Sequence, residues 1–323
     1  MRRRELVAGL LAGMAAGDRW ARADGRSAGG RPGWSMPPPL AKGSVVMAIA
    51  PGTWWENANE EAARLRARFA SAGWTLTIPE AILGRWRWFS ESDEDRLRRL
   101  SAAMADPSVA AVVCVAGGWG SARLLERGWQ PPTRPRWLVG YSDASALLLA
   151  QAAAGVGGAV HGGLGGEASQ WDRLSRLLRG NAVEPLRGQG WRGGAAVGPL
   201  VVSNLTVATS LIGTPWFPRL QGCLLVLEDV GEEPYRVDRM LTQWRTSGVL
   251  RGVAGVGLGH FRWKMDDVLP GDLTMEEVLR DRLVGLGVPV VGRLPVGHGQ
   301  PNLALPLGPL ARLDGDRGTL ELI

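Results

Sequence analysis

The sequence predicts an α/β protein whose first half builds a parallel sheet and whose second half is richer in strands. Three observations predict it. Between residues 44 and 154, short apolar runs alternate with amphipathic helical stretches, the pattern of parallel βαβ units with helices on both faces. Beyond about residue 200 the pattern changes to short strand candidates separated by only two helical stretches. The length of 323 residues, against about 100–200 for a usual domain, makes two domains the expectation.

Taken in order, residues 44–50 (SVVMAIA) form an apolar run that stops at Pro51-Gly52, a buried strand ending in a turn. Residues 55–72 place Ala62, Leu65, Phe69 and Ala72 at helical spacing, with Arg and Glu opposite. Residues 74–78 read as a second strand and 91–104 as another helix. Val109 to Val115 is a continuous apolar strand, followed by Gly117-Gly118-Trp119-Gly120 and the helical stretch from Ser121. Trp137 to Tyr141 is a fourth strand, leading through Ser142-Asp143 into a helix over 144–154. Residues 163–190 mix Gly, Arg and Ser and read as a connection. In the second half, 200–205, 223–227, 254–258 and 289–291 are strand candidates, and 234–247 and 274–286 are helical. Ligands of parallel sheets bind beyond the C-terminal strand ends, where loops lead into helices.

Composition narrows the function classes. A hydrophobic share of 45% and a charged share of 21% exclude a mainly disordered chain. No run of about 20 apolar residues follows the N-terminal region, which excludes a polytopic membrane protein and a stable membrane span in the mature chain. The net charge of +6 is partly carried by the N-terminus, where Arg2, Arg3, Arg4, Arg19 and Arg22 outnumber Glu5 and Asp18. The remainder is close to balanced and shows no basic element, so nucleic acid is not an expected partner. The two cysteines, Cys114 and Cys223, sit in apolar strand runs and read as buried free thiols; no Cys/His spacing suggests a metal site.

Residues 1–23 combine a basic start, an apolar stretch from Leu6 to Ala16, and Ala21-Arg22-Ala23 as an A-x-A cleavage site. Arg2-Arg3-Arg4 followed by Glu5-Leu6 resembles a twin-arginine export signal. Export, to a periplasmic or lumenal space, is the expectation, with a cytoplasmic chain the alternative. Residues 24–41 are rich in Gly and Pro and read as a flexible linker.

Four constellations carry chemistry. Gly117-Gly118-Trp119-Gly120-Ser121 follows a strand and opens a helix, the setting of a nucleophile elbow, where small residues permit the tight turn. An ordinary N-cap serine is its plain alternative. The third glycine of a dinucleotide-binding G-x-G-x-x-G is missing, because Arg123 stands there. Gly140-Tyr141-Ser142-Asp143 has the same strand-to-helix setting and is a competing nucleophile. Its plain alternative is again a helix cap, and on these grounds Ser121 ranks first.

A serine nucleophile needs a base, and the chain has three histidines. His298 lies between Gly297 and Gly299 in a loop, His161 precedes Gly162-Gly163, and His260 reads as a strand-end residue. Finally, the run Leu224-Leu225-Val226-Leu227 ends in Glu228-Asp229, and a carboxylate at the end of a buried strand can orient a histidine.

Together the stretches GGWGSARLL (117–125), GYSDASALL (140–148), LIGTPWFPRLQGCLLVLEDVGEEPYRVDRML (211–241) and GHGQPNLALPLG (297–308) resemble the LD-carboxypeptidase family of serine peptidases, which includes muramoyltetrapeptide carboxypeptidases and microcin-immunity peptidases. The resemblance implies a Ser-Glu-His triad of Ser121, Glu228 and His298, with no metal or organic cofactor. It implies a Rossmann-like N-terminal nucleophile domain (42–165), a connection (166–190) and a smaller, strand-rich C-terminal α/β domain (191–323) carrying Glu228 and His298. It further implies a homodimer. The substrate would be a muropeptide, a peptidoglycan-derived tetrapeptide cleaved before its terminal D-amino acid. Backbone N–H groups of Gly118 and Ala122 are the oxyanion candidates, and Trp119, Arg123 and Asn204 the substrate-binding candidates. Two other functions fit the same landmarks: an amidase acting on peptide-like antibiotics, and a non-catalytic muropeptide-binding protein. The chain departs from the family pattern at Trp119, where tyrosine is usual, and at His161-Gly162-Gly163, where proline usually follows the first glycine.

Overall fold

The computed structural model describes residues 34–264 and 271–323. The export signal expected over 1–23 and the linker up to residue 33 lie outside the described residues. Residues 34–41 do not behave as a flexible linker. The Leu40 N–H donates to the Leu178 carbonyl (2.8 Å), and the Trp137 indole N–H donates to the Pro38 carbonyl (2.9 Å). Trp34 also packs against Gly308, where any side chain would collide with its ring. Apolar burial of Leu40 and Trp34 outweighs the Gly/Pro composition that suggested a linker.

The first half folds as its periodicity predicts. Strands β1 (Val45–Ile49), β2 (Thr75–Thr77), β3 (Val109–Cys114), β4 (Trp137–Gly140) and β5 (Ala159–His161) pair in parallel in the order 5-4-3-1-2. Helices α1 (Ala58–Ser71), α2 (Asp93–Ala105), α3 (Ser121–Glu126) and α4 (Ser145–Ala153) connect them. α1 buries Ala58, Ala62, Leu65 and Phe69 on one stripe and turns Glu60, Glu61 and Arg64 to solvent. α2 starts at Ser92, whose side chain accepts from the Asp95 N–H. The helix expected from residue 144 begins instead as a 3₁₀ turn over Ser142–Ala144.

The stretch read as a connection over 166–190 holds more structure than its composition suggested. Helix α5 (Ala168–Leu178) starts where Gln170 accepts from the Glu167 N–H, and it packs Trp171 edge-on against Phe69 of α1. Strands β6 (Leu186–Arg187) and β7 (Gln189–Arg192) follow.

The remaining elements are β8 (Ala195–Asn204), α6 (Leu205–Leu211), β9 (Leu224–Val230), α7 (Pro234–Thr246), β10 (Gly255–Arg262), α8 (Met275–Leu283), β11 (Val290–Gly292), β12 (Leu305–Pro306), β13 (Leu310–Asp314) and β14 (Thr319–Leu322). All of these strands except β12 join β6 and β7 in an eight-stranded mixed sheet, ordered 6-14-13-8-9-10-11-7. Its centre, β8 to β11, is parallel. β12 leaves that sheet and pairs antiparallel with β5, so the chain after His298 is hydrogen-bonded to the edge of the first sheet. β9, with β8 and β10 on either side, is buried from Leu224 to Asp229, as its unbroken apolar run predicts. Both cysteines are buried, and neither is in a disulfide.

Candidate active site

Glu228 is fully buried near the end of β9. A carboxylate there costs several kcal/mol unless it is paired, and it is paired. The loop from Pro295 wraps over it so that the His298 ring Nδ1 lies 2.6 Å from Glu228 Oε2, and the His298 backbone N–H donates to the same oxygen (3.2 Å). Gly297 makes this wrap feasible: it has φ +94°, and any side chain there would collide with the Glu228 carboxylate. Buried Asn302, whose Oδ1 accepts from the Gly297 N–H (2.8 Å), anchors the loop. The contact suits the tautomer with its proton on Nδ1, the orientation in which a carboxylate holds a histidine whose other nitrogen serves as a base. Burial alone would push the Glu228 carboxyl up. The imidazoles of His161 and His298 outweigh it and hold the group well below the ordinary carboxylate range.

His298 is 16% exposed in its side chain and faces a cavity of about 480 Å³. Gly117, Tyr141, Gln170, Arg262, Gln300 and Asn302 also line that cavity. The His298 ring packs on Tyr141 (centroids 5.1 Å apart), the residue before Ser142.

The two competing serines separate clearly. Ser121 opens α3 but is fully buried, and its hydroxyl makes no hydrogen bond of good geometry, to His298 or to any other described group. It lies close enough to Asp143 only to act on that carboxylate. Its backbone N–H and that of Gly120 donate to Asp143 Oδ2 and Oδ1 (2.8 and 3.2 Å). The Gly117–Ser121 turn is further held by Thr53, whose N–H donates to the Gly117 carbonyl and whose Oγ1 accepts from the Trp119 N–H. Buried Arg96 donates to the Gly120 carbonyl. This turn is a scaffold beneath the next strand end, which corrects the expectation that Ser121 joins Glu228 and His298.

Ser142 has the features expected of an elbow serine. It follows β4 with one residue, Tyr141, between, begins the 3₁₀ turn into α4, is half-buried, and adopts φ +59°. A non-glycine residue in that left-handed region costs about 1–2 kcal/mol and signals a position the fold has been made to hold. A Cβ placed on cavity-lining Gly117 would sit 3.1 Å from Ser142 Oγ, so the glycine keeps this hydroxyl uncovered. The sequence offered both serines in one kind of setting; the signal that separates them is backbone dihedral and burial.

The other expected site residues are placed as follows. Gly118 has φ +80° and lies against Thr53 in the turn beside Gly117. Ala122 packs on the apolar core instead of lining the cavity. Trp119 is 49% exposed and also lies outside the cavity lining. Arg123 is taken up by Asp93, Nε to Oδ2 3.0 Å, so it is not free for a substrate carboxylate. Buried Asn204 caps α6 by accepting from the Val207 N–H (3.0 Å), and its amide donates to Asp229 Oδ1 (3.2 Å). It serves the architecture around Glu228 and does not face the cavity. Asp229, pushed up to about 6 chiefly by burial, turns away from the site to Thr206 and Asn204. The His260 ring lies against Gly299, and its Nε2 is 3.3 Å from the Pro301 carbonyl. Sequence reasoning missed Tyr141, Arg262 and Asn302, which the fold gathers from just past the end of β4, the last residue of β10 and the loop after His298.

Residues 46–162 match the LD-carboxypeptidase N-terminal domain and residues 197–313 the LD-carboxypeptidase C-terminal domain. The chain belongs to the LD-carboxypeptidase family. It is 40% identical over 298 residues to slr1534 of Synechocystis sp., covering 89% of this chain and 97% of that one. It is 34% identical to the murein tetrapeptide carboxypeptidase of Pseudomonas aeruginosa over 73% of this chain and 82% of that one. Among solved structures, the muramoyltetrapeptide carboxypeptidase of Oxalobacter formigenes superposes with a TM-score of 0.73 at 27% identity, over 86% of this chain and 97% of that chain. The microcin C7 self-immunity protein MccF, at 19% identity and a TM-score of 0.76 over 89% and 98% of the two chains, shares the fold. The LD-carboxypeptidase family assignment makes the chain a member of a peptidase family, with the parallel-sheet first half and strand-rich second half seen here.

Proposed function

We propose that this chain is a serine LD-carboxypeptidase that hydrolyses the amide bond before the terminal D-amino acid of a peptidoglycan-derived tetrapeptide. In this reading Ser142 is the nucleophile, His298 the general base and Glu228 the carboxylate that orients it. One observation carries the assignment: left-handed Ser142 stands beside the cavity into which His298, already bound to Glu228, projects against neighbouring Tyr141. The names of the Pseudomonas and Oxalobacter relatives support the substrate class.

In this reading the steps are these. His298 Nε2 takes the Ser142 proton as Oγ adds to the scissile carbonyl, and Glu228 offsets the positive charge that develops on the ring. The oxyanion is held by N–H groups at the start of the turn after Ser142, Asp143 first, and by that of Gly118 alongside. The tetrahedral intermediate collapses as His298 returns the proton to the leaving amine. Water then releases the acyl group by the same route in reverse. Arg262 is the arginine that lines the cavity, and its guanidinium has no acidic partner among the described residues. It takes the role first expected of Arg123, binding the terminal carboxylate of the substrate.

The test is incubation of the purified protein with muropeptide tetrapeptides, followed by mass analysis. Release of one terminal alanine, lost in Ser142→Ala, is the expected result. Tetrapeptide that returns intact overturns the reading. Cleavage of a peptide-like antibiotic in its place, or retention without turnover, would instead mark the antibiotic amidase or the binding protein.

A further inference from the structure

His161 is a buried ionisable side chain that the proposed mechanism leaves without a task. It closes β5, is fully buried, and neither ring nitrogen has a hydrogen-bond partner of good geometry. An unsatisfied buried polar group costs roughly 1–3 kcal/mol and calls for an explanation. The group it faces is equally specific. Its Nε2 lies 3.4 Å from Glu228 Oε1, the one carboxylate oxygen that His298 does not use and that is otherwise unpartnered.

We propose that His161 is a positioning residue of the hydrolytic relay: its Nε2–H is directed at Glu228 Oε1 and fixes the carboxylate in the plane in which Oε2 meets His298. This deepens the proposed function and rests on it. Three observations support it. His161 is in register with Gly140, two residues before Ser142, so the strand that presents the nucleophile and the residue that steadies the carboxylate are hydrogen-bonded neighbours. Glu228 lies on the other sheet, so this contact ties the carboxylate to the nucleophile's side of the site. Tyr141 stands beside both imidazoles, with ring centroids 6.2 Å from His161 and 5.1 Å from His298, which confines both rings. At 3.4 Å the contact is longer than a tight N–H···O bond, and an approach of about 0.5 Å makes it one.

The test uses two substitutions at one position. His161→Gln keeps an N–H donor at the reach of Nε2; His161→Met fills the space without one. The expected result is a fall of about tenfold or more in kcat for His161→Met, with KM within about twofold, and substantial recovery in His161→Gln. In a Glu228→Gln background, His161→Met should cost less than about twofold. Wild-type kcat in a folded His161→Met protein, or an equal loss in both backgrounds, overturns the proposal. If His161→Met does not fold, His161→Gln decides: a loss of tenfold or more in that variant contradicts it. A readout independent of turnover separates this inference from the function reading. The downfield NMR resonance of the His298 Nδ1 proton should persist in Ser142→Ala and shift or broaden in His161→Met. An unshifted resonance sinks the positioning role even if the protein is a peptidase. A shifted resonance in a protein that cleaves no muropeptide supports positioning and rejects the substrate.

Discussion

Ser121 and Ser142 occupy equivalent places in the sequence, each after an apolar strand and before a helix, yet the fold buries the first and leaves the second half-buried at a positive φ. The hydroxyl of Ser121 is buried without a hydrogen bond of good geometry. That hydroxyl acts on Asp143 and makes no hydrogen bond to His298, so Ser121→Ala should keep turnover within about threefold of wild type. Ser142→Ala should lose it by at least about a thousandfold, the order expected when a nucleophile is removed. Arg262→Gln should raise KM by roughly 10–100-fold with kcat little changed, because a charge-assisted hydrogen bond is worth about 1.5–3 kcal/mol. A muropeptide amidated at its C-terminus should bind both forms alike. His298, a histidine between two glycines, ranked first on the residues alone, whereas the acidic pair ending an apolar strand left Glu228 and Asp229 open and only the family resemblance chose Glu228. The choice of serine was not legible, because a positive φ at Ser142 and the pinning of Ser121 by Asp143 arise from tertiary contacts that no spacing encodes.

At the scale of elements, glycine placement explains how the loops reach the site. Gly117 ends its turn beside the elbow, and a side chain there would press on Ser142 Oγ at 3.1 Å. Gly117→Val should lower kcat by roughly 10–100-fold while the melting temperature stays within a few degrees, since overpacking at one surface turn costs about 1–3 kcal/mol. The α6 cap offers a contrasting case. Asn204→Ala removes the acceptor for the Val207 N–H and one donor to Asp229. It should destabilise the protein by about 1–2 kcal/mol in a urea titration and leave KM unchanged. The elements themselves were largely readable, because β3, β4 and β9 are unbroken apolar runs and α1 keeps a clean stripe. α5 and β12 were not. α5 hides behind a glycine-rich lead-in, and β12 is a two-residue strand containing proline, whose pairing with β5 depends on the distant edge it meets.

For the whole molecule, the fold brings together the ends of two separate sheets, each built from sequence with simple periodicity. That meeting has a measurable electrostatic signature. Glu228 titrates below its ordinary value of 4.5 in the native state. Its contribution to stability is therefore fully present above that value and is lost as pH falls through the lower native one. Wild type should lose more stability than Glu228→Gln between roughly pH 5 and pH 3, as read from urea midpoints. Equal slopes would contradict a buried, ionised Glu228. In the proposed relay His298, held by Glu228, activates Ser142. The most direct measurement is labelling of the native protein with a fluorophosphonate, followed by peptide mapping of the modified residue. One adduct, on Ser142, that disappears in His298→Ala is expected. An adduct on Ser121, or labelling that persists without His298, would contradict it.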